Sequence, residues 1–380
     1  SSGANTIQLY FDWDDQTILI ADNGKGMQKK ELLDSMKIGS SDPGVTRSAS
    51  DLGRFGMGMK TASFSLGKQL LVITKQKDEI NNAEWNLEYV ENEDKWEILI
   101  HSDEKIDTYI KSKTDKIEFQ NWDEGTLISL SMLDKLIDEN NMQKSKVKFY
   151  KTVEKVKKHL AMIFHRFIEE DNLQIYVNKN LLEAWNPFIR QNPATMELAC
   201  EELFDGKTIV SIEPYILPHK TKFEDEEAFK KAGGAKDWLA HQGFYVYRNR
   251  RLIVYGTWFG KFKKEPAYNL ARIKLDMSSE SDFEWGIDIK KSKATLPVSI
   301  EESVIQIAYL AIEKSVAVYN SRGVYNRRNT GNNTSLKYVW EQRKNSSGNY
   351  MFYLNKKHPM LIKLMQELNE ETKKELKTYL

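Results

Sequence analysis

The segment best suited to chemistry in this 380-residue chain is Asp22-Asn23-Gly24-Lys25-Gly26-Met27. Thr17 to Ala21 reads as a strand, so the Asp22 carboxylate stands at a strand end. Gly24 and Gly26 let the backbone turn tightly against a flat ligand. A buried carboxylate in that place can accept a hydrogen bond from an exocyclic amine. The same residues also spell a plain Asx turn, and taken alone the two readings weigh evenly.

A second segment runs Gly53-Arg54-Phe55-Gly56-Met57-Gly58-Met59-Lys60-Thr61-Ala62-Ser63. Its glycines open a helix that should start near Gly58. Unpaired N–H groups at such a start suit phosphate oxygens, and Lys60 adds a positive charge. The loop follows no strand of a βαβ unit and lacks a Gly-Lys-Ser/Thr ending. It is therefore neither a dinucleotide fingerprint nor a P-loop. A third segment, Glu124-Gly125-Thr126-Leu127-Ile128-Ser129-Leu130, leads a Gly-Thr pair into an apolar strand and is unremarkable by itself.

In this order and spacing the three segments resemble the GHKL superfamily, which includes DNA gyrase B, MutL, MORC proteins, the large heat-shock chaperone and sensor histidine kinases. The resemblance implies a Bergerat-fold ATPase sandwich that binds ATP with Mg2+. On it, Asp22, Gly24, Gly26 and Met27 form the adenine motif. Gly53, Phe55, Gly56, Met57, Gly58, Met59 and Lys60 form the phosphate motif at the end of a lid spanning residues 38–58. Thr126, with Gly125, forms the last adenine-side motif.

The chain also resembles the MutL/MORC branch. His165-Arg166-Phe167-Ile168-Glu169-Glu170 and Trp185-Asn186-Pro187-Phe188 look like the end of such an ATPase domain. The stretch Gly243 to Ile253 looks like the hairpin of a following transducer domain with a ribosomal-S5-like fold. Ile287-Asp288-Ile289-Lys290-Lys291-Ser292-Lys293 is similar to the loop that returns a lysine to the γ-phosphate. Lys293 is the implied sensor, with Lys291 second. Three lysines in a loop are also an ordinary solvated face. The branch implies a homodimer that closes on ATP binding, action on DNA, and a bacterial defence or restriction-like setting beside nuclease or helicase partners.

One departure matters. These ATPases carry a general-base Glu and a Mg2+-holding Asn on a helix upstream of the adenine Asp. Only 21 residues precede Asp22, and they read as two strands. The expectation is that this helix belongs to the native protein ahead of Ser1. The alternative is a nucleotide-gated interaction module that binds without hydrolysing. A histidine kinase or chaperone-type GHKL protein ranks third. The general base is unknown, and no metal ligand is named.

The elements that must position these residues follow from periodicity. Ile7, Leu9 and Phe11 alternate as a half-buried strand, and a short helix spans about Lys29 to Lys37. Further strands are expected at Gln69 to Lys75, Trp85 to Val90, Trp96 to Ile100, Thr126 to Met132 and Leu173 to Val177. Phe149, Val153, Val156, Leu160, Ile163 and Phe167 make one apolar stripe on a single long helix. Strands at Thr208 to Pro214, Gly243 to Arg248, Arg251 to Tyr255 and Ala271 to Asp276, closed by a helix at about Ile300 to Tyr319, make a second unit. The expected class is α/β (α+β). The ATP-binding domain is expected at 1–195, the transducer at 196–320, and a basic and aromatic segment with a final helix at 321–380.

Composition excludes little. The formal net charge is +1, so any nucleic-acid contact must come from a local patch. Residues 323–358 are one such patch, with seven Lys or Arg against Glu341 and with Tyr325, Trp340 and Phe352 among their aromatics. A solvated terminal module is the plainer reading of that patch. The single cysteine, Cys200, rules out an internal disulfide and fits a reducing cytoplasm. No apolar run approaches membrane length. The six histidines are scattered, and none pairs at metal-ligand spacing.

Overall fold

The computed structural model describes residues 3–37, 58–77, 79–287 and 294–320, together with the backbone of strands at 340–344 and 350–354. The chain divides into two compact units, Ser1–Gly323 and Val324–Leu380. The first is a mixed α/β body holding two mixed sheets.

The first sheet contains β1 (Thr6–Asp12), β2 (Thr17–Asp22), β3 (Gln69–Gln76), β4 (Glu79–Asn86), β5 (Gly125–Ser131), β6 (Gln174–Val177) and β7 (Asn180–Leu181). Their order is β4-β3-β5-β2-β1-β6-β7. All neighbours are antiparallel except β1 and β6. The helices of this part are α1 (Lys29–Met36), α2 (Gly58–Phe64), α3 (Leu87–Glu93), α4 (Asp103–Lys111), α5 (Met142–Ile163) and α6 (His165–Glu170).

Successive residues of a strand point to opposite faces, and here both faces are covered. Ile18, Leu70 and Val72 pack with Leu32 and Met36 of α1 and with Phe149 and Val153 of α5. Leu19, Ala21, Leu71 and Ile73 pack on the other side with Ile106 and Ile110 of α4. Double burial explains why β2 and β3 read as nearly unbroken apolar runs.

Three expectations need correction. Trp85 to Val90 is not a strand: β4 ends at Asn86, whose side chain accepts from the N–H groups of Glu88 and Tyr89, each at 3.1 Å, and so starts α3. Trp96 to Ile100 contributes a single bridge, Leu99 to Glu84. The long helix breaks at Phe164, which leaves the α-region at φ −107°, ψ 12°. Phe167 therefore lies on α6, off the stripe, under the Arg250 guanidinium.

The second sheet holds β8 (Met196–Glu197), β9 (Glu201–Phe204), β10 (Ile209–Ile216), β11 (Gly243–Arg248), β12 (Arg251–Thr257) and β13 (Ala271–Met277). Its order is β12-β11-β13-β10-β8, with β9 also on β10 and with β11 and β13 parallel. Helix α7 (Glu226–Ala232) lies between β10 and β11 in the chain, and α8 (Val298–Asn320) covers one face through Ile300, Val304, Ile307 and Ala311.

The two sheets are joined by packing rather than by a linker. Met162 and Ile163 at the end of α5 are buried with Phe188, Tyr215, Tyr245, Tyr247 and Leu252. His165 Nε2 lies 2.8 Å from the Tyr247 hydroxyl, and Arg166 Nη1 donates to both Asp276 oxygens at 2.8 and 2.7 Å. In the second unit, β14 (Trp340–Lys344) and β15 (Tyr350–Leu354) form an antiparallel pair. The helix expected near Leu361 lies outside the described residues. Among the described residues no helix is long and apolar enough to cross a membrane.

Candidate functional site

Strand β2 carries the chain to Asp22 and releases it there. The Asp22 carboxylate accepts a hydrogen bond from the Gly24 N–H at 2.8 Å, which bends the chain back on itself. Asn23 pins the turn from outside: its Oδ1 accepts from the N–H groups of Asn5 and Thr6 at 3.1 and 2.9 Å. Burial pushes the Asp22 carboxyl above the usual carboxylate range, and the Gly24 N–H partly opposes that rise. Asp22 Oδ1 is thus committed to the turn, and the second oxygen of this half-buried carboxylate is the acceptor left for a ligand amine.

Gly26 and Gly125 are required by close approach. Gly26 has φ +63°, and a Cβ there would sit 2.1 Å from the Lys75 carbonyl oxygen. At Gly125 a Cβ would sit 2.3 Å from the Asp22 carbonyl oxygen. Asp22 pairs with Thr126 across β2 and β5, and Thr74 pairs with Thr126 across β3 and β5. The structure therefore brings Asp22, Gly24, Gly26, Met27 and Thr126 to the end of three adjacent strands.

Thr74 ties these strands together, and nothing in the motif spacing singles it out. It is fully buried, accepts from the Met27 N–H at 2.7 Å, and donates to the Gly125 carbonyl at 3.2 Å. The available signal was a hydroxyl inside the apolar run Leu70-Leu71-Val72-Ile73, at a position whose strand mates are buried. Gln76 adds a side-chain bond to the Lys25 carbonyl at 3.1 Å.

The expected phosphate end is described only in part. Gly53, Phe55, Gly56 and Met57 lie outside the described residues, as do Lys291 and Lys293. Gly58 and Met59 open α2. Lys60, expected to face phosphate, is instead 3% exposed and points at α1: its ammonium donates to the carbonyls of Ser35 and Lys37, each at 2.6 Å. Those carbonyls form the negative end of α1, so the cation has a local electrostatic partner. Burial lowers the Lys60 pKa.

Residues 1–122 match the family model of histidine kinase-, DNA gyrase B- and HSP90-like ATPases. This chain carries a GHKL-type ATP-binding domain. No curated protein matches the chain. The family match stops just short of Gly125 and Thr126, and register places both beside Asp22 in the same sheet.

The residues present fit an adenine nucleotide on two observations: a carboxylate with one oxygen uncommitted, and a turn that only glycine can form so close to β3 and β5. They would hold and orient the base. Among the described residues no cluster of three or more His, Cys, Asp or Glu is placed to hold a metal ion. Mg2+ bound with ATP would supply neutralisation of the phosphate charge. The described cavities of greatest volume lie elsewhere, beside α5.

Proposed function

We propose that this chain is the nucleotide-binding body of a MutL/MORC-like ATPase. ATP binding closes two copies into a dimer and relays nucleotide state from the GHKL domain to the second sheet. In this reading the second sheet is the S5-like transducer, Lys293 is the γ-phosphate sensor with Lys291 as substitute, and residues 38–58 are the lid. The dimer acts on DNA in a bacterial defence or restriction-like system, with residues 323–358 as one contact.

The observation that carries the reading is the Asp22 turn locked by Thr74 and Gly125. A second mixed sheet packed directly against the end of α5 supports the relay, because a shift of α5 must be felt by Tyr215, Tyr245 and Tyr247. The test is calorimetric titration with ATP, joined to sedimentation with a non-hydrolysable analogue. ATP binding with conversion to a dimer is the expected result. Binding without a change in mass would remove the dimer, and no binding by a folded protein would remove the whole reading. Phosphate release measured on the same sample separates an ATPase from a module that only binds.

A further inference from the structure

The face of α5 turned away from the first sheet is a row of cations. Within Met142–Ile163 there are seven lysines and a single acid, Glu154. Lys144, Lys148, Lys151, Lys155 and Lys158 recur at alternating spacings of four and three, which places them on one side of the helix. All five are exposed. At 1.5 Å of rise per residue this is one positive charge about every 5 Å along the axis.

Three members of the row, Lys151, Lys155 and Lys158, also line a groove. A cavity of about 980 Å³ runs between α5 and the second sheet, bounded by Lys146, Lys151, Lys155 and Lys158 on one side and by Lys236 and Tyr255 on the other. It meets a second cavity of about 520 Å³ at Lys158, Met162 and Ala235, where Lys157, Lys230 and Lys231 add further charge. The acids lining the two cavities are Glu154 and Glu183, which pair with Lys157 and Lys231. Between the cations the surface is apolar: Val147 is 55% and Tyr150 48% exposed, beside Met162 and Tyr255.

We propose that this groove binds a single-stranded nucleic acid. Such a strand offers one negative charge per residue on one side and flat apolar bases on the other. Lysines read the first as point charges, and an exposed tyrosine accepts the second by stacking. A duplex hides its base faces and would leave the apolar floor unused. An acidic peptide would meet the charge but has no flat group in step with it. The continuity of the two cavities suits a polymer rather than a free nucleotide. The proposal gives a substrate class to the reading above but uses neither Asp22 nor the residues after Gly323.

The experiment is fluorescence anisotropy of labelled oligothymidylate, about twenty nucleotides long, with the full chain and no ATP. Three full-chain variants are compared with the parent: K151E/K155E/K158E, Tyr150→Ala, and R343E/K344E in the terminal hairpin. Binding is expected, with the triple variant at least ten-fold weaker and its salt slope shallower by about 2, from roughly 0.7 for each phosphate of a single strand that is no longer neutralised. Tyr150→Ala should weaken binding about five-fold or more while leaving the slope unchanged. The hairpin variant should bind like the parent. No binding at low salt, an unchanged slope in the triple variant, or displacement by poly-glutamate at matched charge overturns the groove. Loss confined to the hairpin variant also overturns it, while leaving a DNA role for the terminal segment standing.

Discussion

The Thr74 hydroxyl accepts a 2.7 Å hydrogen bond from the Met27 N–H, so a residue inside β3 fixes the turn that follows β2. Its own proton goes to the Gly125 carbonyl of β5, which makes one buried side chain the clasp of three strand ends. Thr74→Val keeps the shape and removes both bonds. The Met27 N–H is then left without its acceptor, at a cost of about 1–3 kcal/mol. ATP affinity should fall by roughly ten-fold by calorimetry, and Thr74→Ser should restore most of it. Unchanged affinity in Thr74→Val would show that the clasp does not shape the base site.

Gly26→Ala combines a positive φ with a collision. Gly260 has a similar φ of +74°, but a Cβ there would meet nothing within 4 Å, and so it serves as control. Gly260→Ala should cost only the left-handed penalty, about 1–2 kcal/mol. Gly26→Ala should cost more, because the Lys75 carbonyl is backbone and cannot swing aside. Urea midpoints measure both. Equal losses would mean that backbone strain alone decides the position.

Burial makes the charged form of Asp22 costly to the fold. Burial raises its pKa in the folded chain, so the unfolded state releases that proton at lower pH than the folded state does. Its contribution is therefore most favourable below the unfolded value and is lost as pH rises through the folded value. Asp22→Asn keeps an oxygen for the Gly24 N–H and should raise the melting temperature at pH 7. That gain should shrink toward pH 4. The same variant should lose measurable ATP binding, since an amide cannot offer the carboxylate's charge-assisted acceptor. A melting temperature that falls at neutral pH would contradict the desolvation account.

His241 has the opposite sign. Burial, aided by Arg272, holds its pKa down at about 3. The ring is 1% exposed and stacks on Tyr255 at 5.5 Å. The unfolded chain binds this proton first on acidification, so the contribution is complete above about 6.5 and is lost as pH falls toward 3. His241→Phe should flatten the decline of melting temperature across that window. A profile parallel to the parent's would place the acid sensitivity elsewhere.

Lys293 is predicted to interact with the γ-phosphate, an attraction available only with a triphosphate bound. Lys293→Ala should weaken ATP about ten-fold and ADP little, by competition titration. Equal losses for both nucleotides would end the sensor role and direct attention to Lys291.

Local signals determined a good part of this protein. The turn at Asp22 with the glycines at 24 and 26 was legible because backbone turns need particular residue types, whereas the Gly125-Thr126 pair stood out only through the order and spacing shared with the GHKL superfamily. Strands β2, β3 and β11 were legible because burial on both faces leaves apolar runs, and β10 and β13 because apolar residues alternate with polar ones. Local signals misplaced β4 and the C-terminal end of α5, where Asn86 and Phe164 stop elements that the apolar pattern would have continued. Tertiary structure alone decided the partners. No spacing rule connects Thr74 to Met27, Lys60 to the end of α1, or the α5 lysines to Lys236 and Tyr255. Each of these contacts depends on which strands pair and which helix faces meet, and long-range packing sets both.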